Sequence, residues 1–400
     1  RTPGAPAMTA ADAEPPRDAA APLATIAREW TRLGLTGFGG PPAHVALLRE
    51  LCVERRRWLD AREFEDAVAA TGLLPGPAST QLAIFCAWRV RGAAGAVVGG
   101  LAFILPGLAL IVALAALFLS GSPPAWVRGA GAGAGAAVAA VALQAGSGLV
   151  PASWARAAAG SQARWALYLL AGGAAAATTG PWVVLVLLAA GGLEVALRRR
   201  PHSGRLAAIG WPVLLAAVPP VSGGIGALAW VALKVGALSY GGGFVIIPLM
   251  QADAVDHYHW MSAPRFLDAV ALGQVTPGPV THTVAVVGYA AAGLGGALLA
   301  AGVAFAPSFA YVLLGARHFG RLRAEPGVQA FLDGAGPAAV GAILGSAIPL
   351  ALGLQEAWQV AILVLAGAAL LLARRGIVPV LLMAGAAGIV AALVGAPLPT

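Results

Sequence analysis

The chain has 400 residues, of which 59% are hydrophobic and only 10% are charged, and its mean hydropathy is +0.81. A soluble domain carries about 25% charged residues and buries only about three quarters of its surface, so this composition excludes cytosolic enzymes, secreted disulfide scaffolds and disordered proteins. The formal net charge is +8, yet the arginines lie in short loops between apolar segments. This pattern indicates contact with a lipid bilayer and argues against nucleic acid as a partner.

The apolar segments are continuous and rich in Ala, Leu, Val and Gly. Transmembrane β-strands alternate apolar and polar residues, so these segments predict helices and an all-α polytopic membrane protein. Residues 1–22 lack the apolar core of a signal peptide and are expected to form a disordered cytoplasmic tail. Residues 23–197 and 223–400 are expected to form two repeats, joined at 198–222 by a basic linker with one inverting span.

The repeats are detected as residues that match at an offset of 202 positions. The matched sets are Trp58 and Trp260, Phe64 and Phe266, Asp66 and Asp268, and Pro75-Gly76-Pro77 and Pro277-Gly278-Pro279. Basic residues cluster at 55–62 in the first repeat but at 317–323 in the second, and basic loops favour the cytoplasm. We therefore predict two inverted-topology repeats with a cytoplasmic N-terminus, as in many secondary transporters.

The Pro-Gly-Pro segments are predicted to break short helices inside the membrane. The run from Asp60 to Leu74 rises only about 21 Å, whereas the bilayer core is about 30 Å thick. We expect broken or re-entrant helices that meet at the two segments, although a plain helix kink is the alternative. The helix-breaking residues are Pro75, Pro77, Pro277 and Pro279.

The helix that starts after each break is predicted to present N–H groups and hydroxyls to an anion, because a helix N-terminus carries about half a positive charge. The N–H groups expected to be free are those of Ala78, Ser79, Thr80, Val280, Thr281 and His282. The residues predicted to bind substrate here are Gly76, Ser79, Thr80, Gly278, Thr281, His282 and Thr283. Protonation of His282 would make binding sensitive to pH.

A glycine turn ends the first apolar helix of each repeat, at Gly37-Phe38-Gly39-Gly40-Pro41 and at Ser239-Tyr240-Gly241-Gly242-Gly243. Such glycines allow close approach either to a ligand or to another helix, and the sequence leaves both readings open. The predicted substrate-binding glycines are Gly39, Gly40, Gly241 and Gly242. His44 follows only the first turn, and we expect it to make a structural hydrogen bond.

Four charged residues lie in or beside the predicted membrane helices. Arg32 and Lys234, the only lysine in the chain, match at the offset of 202. Both are predicted to offset the charge of a bound anion, with snorkelling to lipid headgroups as the alternative. Asp66 and Asp268 are predicted either to couple transport to an ion or to pair with arginines of the loops.

The sequence predicts no cofactor and no metal site. Cys52 and Cys86 have neither a disulfide framework nor a metal-binding spacing, so we expect them to pack between helices. A membrane-embedded enzyme is a less favoured hypothesis, because its nearest candidate ligands, His257 and His259, have no third partner. The chain also lacks the phosphate-loop pattern of a nucleotide-driven pump.

Four motifs together resemble those of the chromate ion transporter family. They are Phe38-Gly39-Gly40-Pro41-x-x-His44, Leu74-Pro75-Gly76-Pro77 followed by Ser79-Thr80-Gln81, Ser239-Tyr240-Gly241-Gly242-Gly243, and Gly273-Gln274-x-Thr276-Pro277-Gly278-Pro279. The arrangement is similar to the long form of that family, whose two halves are held to be antiparallel. The resemblance implies secondary transport of chromate out of the cytoplasm, across the bacterial inner membrane, and hence chromate resistance.

The same resemblance leaves alternatives within its own architecture. Sulfate has the tetrahedral dianionic shape of chromate, so a transporter or channel for sulfate or another oxyanion is the main rival. Assembly of two copies of the chain into a homodimer is a further alternative. The expected partners are therefore a chromate-like or sulfate-like oxyanion and the lipid bilayer.

Overall fold

The computed structural model describes residues 21–73, 76–119, 122–157, 161–178, 183–198, 223–239, 246–315 and 325–399. Every regular element in these ranges is a helix, which confirms the expected all-α fold. Four helical stretches are long and apolar enough to cross a membrane, and they are Ala78–Phe118, Ala125–Arg156, Val280–Gly315 and Pro326–Leu352. The expected tail up to residue 20 and the inverting span lie outside the described residues.

The first repeat contains eight described helices. They are α1 Leu23–Thr36, α2 Pro41–Arg49, α3 Ala61–Leu73, α4 Ala78–Phe118, α5 Ala125–Ala136, α6 Val138–Arg156, α7 Gln162–Thr178 and α8 Val183–Arg198. A π-helical turn, Glu50–Arg55, continues α2. The interruption between α3 and α4 coincides with the first Pro-Gly-Pro segment, where proline removes a backbone donor and blocks continuation of the helix.

The second repeat follows the same order. Its helices are α9 Gly224–Leu238, α10 Ile246–Gln251, α11 Ala263–Val275, α12 Thr283–Gly315, α13 Pro326–Leu352, α14 Ala357–Gly367 and α15 Ile377–Leu393. A 3₁₀ turn, Val280–His282, precedes α12, and π-helical turns at Ala252–His257 and Ala368–Leu372 continue α10 and α14. Thus α9, α11 and α12 occupy the positions of α1, α3 and α4.

The repetition extends to backbone angles inside the two longest helices. In α4 the helix breaks at Arg91 (φ −148°, ψ 34°) and Gly92 (φ 56°, ψ −151°). In α12 it breaks at Ala292 (φ −152°, ψ 32°) and Gly293 (φ 60°, ψ −152°). Each break turns the chain back on itself, because Gly95 then packs on Ala87, and the equivalent glycine of α12 packs on Gly288. The helix α4 is therefore a hairpin, and its 41 residues are too many for a single crossing.

The two repeats interlock instead of lying side by side. In the first repeat, α5 packs along α15 of the second, with Gly129 against the backbone of Gly388. In the second, α13 packs on α7 and α8, with Gly341 against the backbone of Leu169. Small residues allow such close approach of helices within a membrane. At the centre, α4 and α12 pack on each other. In addition, α4 packs on α1, and α12 packs on α9. The two Pro-Gly-Pro breaks lie at this centre.

Candidate functional site

Each Pro-Gly-Pro break is attached to the glycine turn of the opposite repeat. The N–H group of Gly76 donates to the carbonyl of Ser239 over 2.9 Å, and that of Gly278 donates to the carbonyl of Gly37 over 2.9 Å. The donors are equivalent at an offset of 202, and so are the acceptors. Gly76 (φ +116°) and Gly278 (φ +98°) both have a left-handed backbone conformation that glycine adopts readily. The repeats therefore exchange one matched pair of hydrogen bonds at the breaks.

A chain of hydrogen bonds connects the two breaks through His44. Nδ1 of His44 lies 3.1 Å from the hydroxyl of Ser79, and Nε2 lies 2.9 Å from the carbonyl of Gly37, which also accepts the N–H of Gly278. A carbonyl only accepts, so Nε2 donates and, in the neutral ring, Nδ1 accepts from Ser79. The ring is buried and lies edge-on to Phe103, with centroids 5.1 Å apart. The expected structural role of His44 is confirmed, and its position between the breaks is new.

Unpartnered polar atoms surround this chain. Buried polar side chains near the breaks without a hydrogen-bond partner among the described residues are Thr80, Ser239, Gln274 (at Nε2), Thr281, His282 (at both ring nitrogens) and Ser308. Burying a polar group without a partner costs about 1–3 kcal/mol, so a polar ligand at this point would relieve several such costs at once. The breaks thus form a buried polar centre between α4 and α12, which we call the break site.

Most of the residues predicted around the breaks are brought together at the break site. Among the described residues, those that are buried there are Gly76, Pro77, Ser79, Thr80, Pro277, Gly278, Pro279, Thr281, His282 and Thr283. His282 packs edge-on against Phe305 with ring centroids 5.3 Å apart, and Gly107 of α4 lies against its ring. Pro75, Gly241 and Gly242 lie outside the described residues.

Four of the donors predicted for an anion are already used. One is the hydroxyl of Ser79, which donates to Nδ1 of His44. The N–H groups of Thr80 and His282 donate over 3.0 Å to the carbonyls of Pro77 and Pro279, because each new helix closes its first turn at once. The expectation that they are free is wrong, which leaves the first two N–H groups after each break. The hydroxyl of Thr283 donates to the carbonyl of Val280 over 2.8 Å, so it has no second hydrogen for a ligand.

The predicted glycines of the first turn differ in their surroundings. Gly39 (φ +98°) is exposed, whereas Gly40 (φ +73°) is half-buried. A methyl group on Gly40 would come within 3.9 Å of Val280, which opens the turn after the second break. Gly40 therefore lies beside the break site, and Gly39 lies at its edge.

The two predicted cations lie in different environments. Arg32 is exposed on α1 and is not among the residues buried at the break site. Lys234 is largely buried, and its Nζ lies 2.6 Å from the carboxylate of Asp253 and 5.9 Å from the centre of the Trp230 ring. Asp253 was not predicted from the sequence, in which it lies in the polar stretch Gln251-Ala-Asp253-Ala-Val-Asp256 after an apolar run.

The two predicted aspartates also differ. Asp66 is exposed on α3. Asp268 is half-buried on α11 and lies against Gly131 of α5, in a cavity that also contains Arg128 and Arg265. Neither aspartate reaches the break site.

An ion pair and a tryptophan stack hold α1 in place outside the four candidate spans. Glu29 accepts a hydrogen bond of 2.5 Å from Arg56, and this bond lowers the pKa of the Glu29 carboxyl below its ordinary value because it stabilises the carboxylate. Next to it, Trp30 stacks on Trp58 with centroids 6.0 Å apart and donates its indole N–H to the carbonyl of Ala83 on α4. These contacts fix the helix whose end carries Gly37.

Comparison with known proteins decides the family. The family model described as Chromate transporter matches residues 24–194 and 226–392, one match in each repeat, and the two matches cover more than half of the chain. The chain belongs to the chromate transporter family. The matches confirm both the resemblance and the duplication, and with the apolar helices they make this transporter a multi-pass membrane protein.

Three curated relatives show how far the similarity extends. The chromate transport protein of Cupriavidus metallidurans is 32% identical over 376 residues, which cover 91% of this chain and 92% of the relative. The probable chromate transport protein of Synechococcus elongatus is 30% identical over 82% of this chain and 84% of its own. The chromate transport protein of Pseudomonas aeruginosa is 31% identical over 80% of this chain and 79% of its own. No solved structure matches the transporter.

Proposed function

We propose that this transporter moves chromate out of the cytoplasm across the bacterial inner membrane and thereby confers chromate resistance. The observation that carries the proposal is the hydrogen-bonded connection between the two breaks, from Ser79 through His44 and Gly37 to Gly278, with unpartnered polar groups around it. Relatives named as chromate transport proteins support the substrate.

The break site offers the chemistry that a tetrahedral dianion needs. The first two N–H groups after each break and the hydroxyls of Thr80, Thr281 and Ser239 replace water around the oxyanion, and the helix that starts after each break contributes its positive end. Hydrogen bonds to a charged group are about twice as strong as neutral ones. The neutral ring of His282 offers one further N–H donor to the oxyanion.

Lys234 and Arg32 act on the substrate from a distance in this proposal. Asp253 neutralises Lys234 in this structure, so the lysine contributes fully only in a state where that pair separates. Arg32, exposed on α1, contributes to the potential that an approaching anion meets.

Alternating access is the motion that we propose for the two repeats. Rocking of one repeat against the other exposes the break site first to one face and then to the other. The membrane potential, negative inside, favours outward movement of a dianion by about 2.3 kcal/mol per charge per 100 mV, so export needs no nucleotide.

The inverted topology, the domain boundaries and the cytoplasmic N-terminus belong to the same proposal. One observation supports them: Arg156, which is expected on the inner face, lines a cavity of about 640 Å³ together with Gln329, which follows the basic segment 317–323 expected on the same face.

The test is chromate flux into and out of proteoliposomes that contain the purified protein, with the pH gradient and the voltage imposed separately. We expect saturable flux that follows the voltage and that excess sulfate inhibits. Flux of sulfate in preference to chromate would move the assignment to the rival substrate, and flux that rises linearly with concentration would replace the transporter by a channel. No flux of either anion above that of protein-free liposomes would contradict the proposal.

A further inference from the structure

A second polar cavity lies at the opposite end of α11 from the break site. It has a volume of about 370 Å³ and is bounded by the end of α4, the start of α5, the start of α11 and Pro399 near the C-terminus. At about 30 Å³ per molecule, this volume holds about ten waters, which is room for an oxyanion with part of its hydration shell. Its charged lining residues are Arg128, Arg265 and Asp268.

Asp268 lies against two glycines of α5. A methyl group on Gly131 would come within 2.8 Å of the Asp268 carboxylate, and one on Gly135 within 3.3 Å. Glycine at these positions therefore lets the carboxylate lie against the α5 backbone. Within the part of the chain that the structure describes, Asp268 forms no ion pair within 4.0 Å, and neither do Arg128 and Arg265.

The cavity is thus positively charged and accessible. Two arginines face one carboxylate, and both arginines are exposed at its mouth. Guanidinium groups bind oxyanions through paired hydrogen bonds, and a positively charged cleft raises the local concentration of anions. The break lies close by, because Asp268 is seven positions before Val275, the last residue of α11, which is about 10 Å along a helix, and Pro277 follows two positions later.

We propose that this cavity is an oxyanion-binding vestibule, in which a tetrahedral dianion binds Arg128 and Arg265 on its way to or from the break site. The inference rests on the proposed function for the identity of the dianion, but not for the anion preference of the cavity. The charged groups that face Asp268 are Arg265 on its own helix and Arg128 on α5; the other described lining residues are uncharged.

The anion preference can be measured without transport. Ser122 is exposed at the mouth of the cavity, so Ser122→Cys introduces a thiol there, while Cys52 and Cys86 are buried and serve as the unlabelled background. The full-length protein in detergent is labelled with two methanethiosulfonate reagents of similar size, one anionic and one cationic. Both reagents attack the same thiolate, so the ratio of their rates cancels any effect of the arginines on the thiol.

We expect the anionic reagent to react about tenfold faster than the cationic one, relative to their rates with a free thiol. Changing both arginines to glutamine should bring the ratio close to one. Arg62→Gln, at an exposed arginine of α3, is the control for net charge and should leave the ratio unchanged. A ratio near one in Ser122→Cys, or equal losses in the control and the double variant, would overturn the vestibule.

A second measurement uses the substrate itself. Millimolar chromate, and sulfate in a separate arm, should slow anionic labelling of Ser122→Cys but not in the double arginine variant. Absence of this protection would also contradict the proposal. The two hypotheses can be contradicted separately. A labelling ratio above one with protection by chromate, but without chromate flux, would contradict the proposed function alone. Normal chromate flux with a labelling ratio of one would contradict the vestibule alone.

Discussion

His44 is the residue on which the connection between the breaks depends. It bonds to Ser79 after the first break and to Gly37, whose carbonyl also holds Gly278 of the second break. We expect His44→Ala to leave both partners buried without a hydrogen bond, which costs about 1–3 kcal/mol for each and lowers chromate flux about tenfold or more. Thermal unfolding and proteoliposome flux measure the two effects. The matched control is His257→Ala, at an exposed position, and comparable losses in both variants would contradict the assigned role.

A substitution at Gly37 changes the same contact by adding a methyl group, without removing a hydrogen-bonding side chain. A Cβ atom at this position would lie 2.7 Å from the His44 ring, so Gly37→Ala should force the ring away and reduce flux. Gly192→Ala, on an exposed part of α8 with no atom within 4 Å of the added methyl group, should be neutral or slightly stabilising because alanine favours helices. Flux that is normal in Gly37→Ala would show that the position of the ring does not matter.

Variants of the ion pair between Lys234 and Asp253 can separate an effect on the charge that the anion meets from an effect on folding. Lys234→Met leaves a buried carboxylate without its partner, which should destabilise the protein by about 3–5 kcal/mol. Adding Asp253→Asn should restore most of the stability. If Lys234 also draws the anion, chromate flux in the double variant should stay low although the protein is folded, as thermal unfolding and flux together will report. Full recovery of flux would reduce Lys234 to a structural residue.

At the scale of single elements, α1 is anchored near its middle by Glu29 and after its last residue by the bonds of Gly37. The lowered pKa of Glu29 means that its pairing with Arg56 stabilises the fold fully above the ordinary pKa of 4.5 and loses this effect as the pH falls through the lower value in the folded state. Glu29→Gln should therefore lower the melting temperature at pH 7 and flatten its dependence on pH below 4.5. Equal steepness in both proteins would show that this pair does not hold α1.

The helices before and after each break show how far sequence reasoning reached. The ends of α3 and α11 and the starts of α4 and the turn at Val280 follow from proline chemistry, which is local. The bonded N–H groups of Thr80 and His282 were missed because closure of the first turn depends on geometry that composition does not contain. His44 was expected to make a hydrogen bond, but its partner 35 positions away was not visible in any local pattern.

For the molecule as a whole, the sequence predicted the two repeats, and their correspondence extends to the dihedral angles of Gly92 and Gly293. It did not predict that each break would be bonded to the turn of the other repeat, since a contact over about two hundred residues leaves no periodic trace. Asp253 was missed for a similar reason, because its partner lies on the preceding helix rather than on its own. Matching contacts in both repeats make the break site shared, so neither half would form it alone.

The most direct test of the shared site is the concentration dependence of chromate flux in Thr80→Val and Thr281→Val, which remove one unpartnered hydroxyl near each break without changing side-chain volume greatly. We predict that each variant raises KM about tenfold, as expected for a lost hydrogen bond to a charged ligand, that the double variant is worse than either, and that Thr178→Val on the exposed face of α7 behaves as the unmodified protein. An unchanged KM in the variant of either repeat would contradict the claim that both breaks bind one anion.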